Sequence, residues 1–71
     1  MNSFDRFLLG ELDDVGSRVY VDGERVEDTT RSLAYIASKY DAVEGRVEVK
    51  ALYREKETFE YVEGDVEWTN E

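Results

Sequence analysis

Two neighbouring stretches of the chain carry a regular apolar period. Over residues 29–43, Leu33, Ile36, Ala37 and Tyr40 recur at helical spacing, with Val43 at the margin. At 100° per residue these positions share one stripe. Asp28, Thr29 or Thr30 offers a side-chain oxygen to the first free amides, and Gly45 is the expected stop. Arg31, Tyr35, Ser38, Lys39 and Ala42 fall opposite the stripe, giving this helix a basic wet face.

Over residues 46–62 the period changes to two. Val47, Val49, Ala51 and Tyr53 alternate with Arg46, Glu48, Lys50, Leu52 and Arg54, as on a strand with one buried side. Phe59 and Tyr61 are the apolar positions of the return strand. A two-residue turn at Glu55-Lys56 would send Glu60 into the core, so a loop of three or five residues is expected. That loop pairs Tyr53 with Phe59 and Ala51 with Tyr61, because a slip by one residue inverts a whole strand. On the outer side it sets Leu52 opposite Glu60 and Lys50 opposite Val62. Gly64 reads as a second bulge or turn that returns Val66 and Trp68 to the apolar side, and residues 69–71 read as a fraying end.

Upstream, residues 18–27 form a hairpin about Asp22-Gly23, a dipeptide suited to a two-residue turn that needs positive φ at both positions. It pairs Val21 with Glu24, Tyr20 with Arg25, and Val19 with Val26. Residues 2–15 read as a short helix, with Phe4, Phe7, Leu8, Leu12 and Val15 on one face and Gly16 as its stop. A strand through residues 4–9 competes with it. The order is αββαββ: an α+β fold, with an antiparallel sheet of about four strands, one main helix packed on one face and a short N-terminal helix.

Seventy-one residues allow a single domain, 1–71, with a small core. There is no Cys and no His, which excludes disulfides, thiolate or imidazole metal sites, and histidine-activated nucleophiles. Eighteen acidic residues against nine basic ones give a formal charge of −9. Direct binding of nucleic acid or of an anionic membrane is disfavoured by that charge, and a protein partner with a basic surface is favoured. A high-salt or GC-rich source accounts for the acidity equally well, since only three of the nine basic residues are lysine. The N-terminus has no basic run followed by an apolar segment, so a cytoplasmic protein is expected.

Chemistry-bearing motifs are scarce. The acids of residues 24–28 and 55–67 do not match a calcium loop, and neighbouring acids on hairpins are usually a solvated surface. Ser3, Ser17, Ser32 and Ser38 lack an activating base, and the glycines are too scattered to cradle a phosphate. No catalytic residue, cofactor or metal ligand is expected. Most of the nine aromatic residues fall on core faces. Tyr35, beside Arg31 and Lys39, does not, and it marks a contact patch of the kind interfaces use.

The segments TTRSLAYIASK, RVEVKALY and TFEYVEGDVEW resemble, in layout, the small phage-encoded anti-CRISPR proteins that pack one helix on an antiparallel sheet. The resemblance covers the C-terminal half and rests on element order. Some members of that layout are basic or neutral; the charge here is closer to that of acidic, DNA-mimicking inhibitors. The resemblance implies a non-enzymatic inhibitor but supplies no site residues. Net charge, small size and the lack of catalytic residues point to contacts with a basic surface from Glu24, Glu27, Asp28, Glu55, Glu57, Glu60, Glu63 and Asp65, with Arg31 and Tyr35 adding the basic-aromatic patch. A structural or homodimeric module, paired through the uncovered sheet face or an edge strand, is the alternative.

Overall fold

A computed structural model describes residues 2–71. The elements are α1 (Ser3–Leu8), β1 (Leu12–Val21), β2 (Glu24–Thr29), α2 (Leu33–Tyr40), β3 (Val47–Glu55) and β4 (Tyr61–Thr69). The strands form one antiparallel sheet in the order β2-β1-β3-β4, and both helices pack on the same face. The expected α+β architecture is the one observed.

The register places residues in rows across the sheet. On the helix-bearing face these run Glu27–Val19–Val49–Trp68, Thr29–Ser17–Ala51, Asp14–Tyr53–Val62 and Leu12–Glu55. On the open face they run Arg25–Tyr20–Glu48–Thr69, Asp28–Arg18–Lys50–Val66, Gly16–Leu52–Glu63 and Asp13–Arg54–Tyr61. Ile36 of α2 is buried against Val19, Val47 and Val49, while Phe7 of α1 packs over Leu12, Ala51 and Tyr53. Ile36 is the one fully buried residue of α2, so truncating it to Ala removes most of what holds that helix down, at a cost of about 2–5 kcal/mol.

Where the sequence reading and the fold differ, backbone pairing is the usual cause. The N-terminal helix ends at Leu8 and not near residue 15. Gly10, at φ 81°, lets the Gly10 amide donate to the Phe7 carbonyl and the Glu11 amide to the Arg6 carbonyl. That double bond closes a helix around a left-handed glycine, and the chain leaves it as β1. Gly16 is no helix stop. It lies in β1 at φ 132°, where an added Cβ would stand 2.3 Å from the Thr29 carbonyl oxygen.

The Asp22-Gly23 turn has positive φ at both residues, 51° and 82°, and it pairs Val21 with Glu24 and Tyr20 with Arg25 as expected. A bulge then sets Glu27, not Val26, opposite Val19, and Val26 is left exposed. Because β2 pairs as far as Thr29, α2 starts later than 29 and is capped by Ser32, whose hydroxyl accepts from the Tyr35 amide. It ends at Tyr40, short of Val43, and Leu33 remains exposed.

The last hairpin departs most. The Phe59 amide donates to the Glu55 carbonyl, and the Glu55 amide to the Glu60 carbonyl. Four residues, 56–59, are thereby enclosed, with Phe59 at φ 61°. This even-numbered loop puts Val62 opposite Tyr53, Glu63 opposite Leu52 and Val66 opposite Lys50. Phe59 and Tyr61 therefore lie outside the core, and Val62 and Trp68 pack into it. Two register shifts in β4, one between Glu63 and Val66 and one between Val66 and Trp68, return Trp68 to the core and leave Val66 on the open face. Residue 70 does not fray. The Asn70 side chain accepts from the Val47 amide at 2.9 Å and donates to the carbonyls of Gly45 at 2.9 Å and Val43 at 3.3 Å.

Candidate functional site

The two faces of the sheet divide the charge unevenly. The open-face rows hold four basic residues, Arg18, Arg25, Lys50 and Arg54, and four acidic ones, Asp13, Asp28, Glu48 and Glu63. The formal charge of −9 thus rests wholly on the rest of the molecule, where fourteen acidic residues face five basic ones.

The open face satisfies itself. Arg18, only 9% exposed, donates from Nε and Nη2 to the two Asp28 oxygens and stands 3.5 Å from a Glu63 oxygen. Those hydrogen bonds and the neighbouring carboxylates hold its guanidinium charged well beyond the ordinary arginine range, and the same contact lowers the Asp28 carboxyl. Glu63 also accepts from the Tyr20 hydroxyl, which raises the Tyr20 pKa. Lys50 lies 5.0 Å from the Tyr20 ring centre, and Arg54 covers both Phe59 and Tyr61. Leu52, on the same face, is only 3% exposed and borders a hollow with Val15, Asp28 and Tyr61. A sheet face whose charges neutralise one another is stable against water without any cover.

The ten contact residues expected from the sequence are therefore not one patch. Asp28 and Glu63 are engaged in the open-face network. Glu27 is on the other face, where Lys39 donates to it at 2.7 Å and the Tyr40 hydroxyl also donates; both bonds lower its pKa, the lysine more. Glu55 accepts from Arg6 at 2.9 Å and from Thr58. Arg31 stacks on the exposed Tyr35 ring at 4.9 Å, but Lys39 has left that group for Glu27. Among the described residues Glu24, Glu57, Glu60 and Asp65 form no ion pair, and all four are exposed.

An open cleft of about 660 Å³ lies at the Ser17 row, beside the start of α2. Asp14, Ser17 and Glu67 line its floor, with Arg31 and Leu33 on the α2 side. The Glu67 carboxyl accepts a 3.4 Å bond from Ser17; desolvation, with nearby Asp14 adding to it, raises its pKa. Among the described residues no group of three or more acidic side chains is gathered closely enough to hold a metal ion, and no buried side-chain polar atom lacks a hydrogen-bond partner. No helix there is long and apolar enough to cross a membrane.

Sequence reasoning missed the exposed apolar side of α1. Phe4 is 50% exposed, Leu8 65% and Leu9 63%. The signal was Gly10: had it been taken as a helix end, the stripe of residues 4–15 would have lost the partners that bury it. Both sheet edges are acidic, with Glu24, Glu27 and Asp28 on β2 and Glu63, Asp65 and Glu67 on β4, and both carry register shifts. Bulges and charges of this kind block strand-to-strand pairing of two copies. Comparison with known proteins finds no matching family model, curated protein or solved structure.

Proposed function

We propose that this chain is a small non-enzymatic interaction protein that binds a basic surface of another protein through its helix-bearing side, as an inhibitor of the anti-CRISPR or DNA-mimic type. The supporting observation is the partition of charge. The open-face rows are neutral in sum, so the whole −9 is presented by the helices, the edges and the loops. A cationic, nucleic-acid-binding protein surface is the complement of that field, whereas nucleic acid and anionic membranes are repelled by it. In a phage-encoded setting the site of action is the host cytoplasm.

Of the contact residues expected from the sequence, the carboxylates the fold does not use are Glu24, Glu57, Glu60 and Asp65. Glu63 is unsuitable as a probe, because reversing its charge would break its contacts with Arg18, Lys50 and Tyr20. Affinity capture from the native host at low and high salt tests the reading. A nucleic-acid-binding protein should be retained at low salt and released as ionic strength rises, since contacts between exposed charges are screened beyond about 10 Å at 0.1 M. Glu57→Lys, Glu60→Lys and Asp65→Lys together should weaken capture with the fold intact. A complex indifferent to salt would remove the proposal.

A further inference from the structure

The α1 segment displays apolar side chains that stay exposed among the described residues. Leu8 and Leu9 are among the most exposed large apolar residues of the chain, and Phe4 stands one turn before Leu8 on the same side of the helix. Only Phe7 turns inward, its ring centre 5.6 Å from that of Tyr53. Phe4 lies 6.3 Å from Phe7, so the exposed ridge continues into the core.

A six-residue helix has no stability of its own. This one is held by tethers that leave its outer side untouched. Asn2 caps the Asp5 amide at 2.9 Å, the Ser3 hydroxyl donates to the Glu63 carbonyl at 3.0 Å, and Arg6 donates to Glu11 and Glu55, each at 2.9 Å. The ridge is preorganised, which lowers the entropic cost of any contact it makes.

Its surroundings are acidic on both flanks. Asp5 is on the helix itself; the hollow beside it is bordered by Glu11, Glu55 and Glu57 against Arg6 and Lys56. Since Arg6 pairs with Glu11 and Glu55, Glu57 is the carboxylate left without an ion pair among the described residues. On the other flank the Ser3 hydroxyl bond to the Glu63 carbonyl sets α1 beside the acidic strand β4, where Asp65 is exposed. An apolar ridge flanked by Asp5, Glu57 and Asp65 on a chain of charge −9 repels an anionic membrane, and it repels a second copy of the same charge.

We infer that the exposed side of α1 is a docking ridge for an amphipathic, basic segment of the partner protein. That segment sets apolar side chains on Phe4, Leu8 and Leu9, and its lysines or arginines reach the flanking carboxylates. The inference rests on the acidic-surface reading above and specifies the form of the basic surface. Burial of the ridge supplies affinity that salt does not screen, and the carboxylates set orientation and on-rate.

Two synthetic helical peptides test it against the full chain. One places leucines on one face and lysines on the other; the second keeps the lysines and replaces every leucine with serine. The leucine peptide should bind about tenfold tighter or better, a difference of about 1.4 kcal/mol. Leu8→Ser with Leu9→Ser, or Phe4→Ser alone, should erase the difference while leaving serine-peptide binding and the circular dichroism unchanged. Equal affinity for the two peptides, or a preference that survives these substitutions, overturns the ridge but leaves the acidic surface standing. Failure of both peptides to bind at low salt overturns both readings. Sedimentation showing self-association, or binding to uncharged phospholipid vesicles, either one abolished by Leu8→Ser and Leu9→Ser, would hand the ridge to a different occupant and overturn the inference.

Discussion

Arg18 grips Asp28 with two parallel hydrogen bonds, Nε to Oδ1 at 2.8 Å and Nη2 to Oδ2 at 3.1 Å. This fork joins β1 to the edge strand β2 and sits beneath the Tyr61 ring, 5.9 Å from its centre. Geometry of this kind favours arginine over lysine, because only the planar guanidinium meets both carboxylate oxygens at once. Arg18→Met keeps the apolar stem but strands Asp28 and Glu63. It should cost about 1–3 kcal/mol in urea unfolding, and Arg18→Lys should recover only part of that.

Two glutamates should respond to pH in opposite senses. Lys39 and Tyr40 hold Glu27 below the usual glutamate range. Its stabilisation is complete above the unfolded value of about 4.3 and disappears as pH falls through the lower folded value. Desolvation holds Glu67 above that range. Its charged form therefore opposes folding above the raised folded value, and the opposition vanishes once pH falls below the unfolded one. Glu27→Gln should lower the melting temperature at pH 7 and Glu67→Gln should raise it. Both differences should close in acid, measured by thermal melts across pH 3–7.

Gly16 is fixed by close approach. A methyl group there would meet the Thr29 carbonyl at 2.3 Å, at a φ of 132° that other residues rarely adopt. Gly16→Ala should destabilise by about 2–4 kcal/mol, by forcing β1 and β2 apart. Loss of amide protection confined to the β1–β2 pair, in hydrogen exchange, would identify that mechanism.

Asn70 closes the opposite end of the fold. Its amide satisfies one donor and two acceptors of the connection from α2 to β3, so the C-terminal residues hold the turn at Gly45 in place. Asn70→Ala should cost about 1–2 kcal/mol in denaturant unfolding, whereas Glu71→Ala should change little.

The β3 alternation and the Asp22-Gly23 turn were legible because each follows from a local rule: period two for a half-buried strand, positive φ for a tight turn. What escaped is non-local. The bulge at Val26, the one between Asp14 and Gly16 and the two shifts in β4 are settled by pairing partners far along the chain. Phe59 in a left-handed conformation is the clearest case. A glycine or asparagine would have signalled the four-residue loop, and the phenylalanine suggested a core position instead. The contact residues suffered likewise. Which carboxylates are spent inside the fold depends on register, and one residue of slip decides whether Asp28 or Glu27 meets Arg18.

The two sheet margins have a consequence for how this molecule can be recognised. With β2 and β4 both acidic and irregularly paired, a partner has no regular backbone ladder to extend. What these margins offer to their surroundings is side chains rather than a row of free backbone groups.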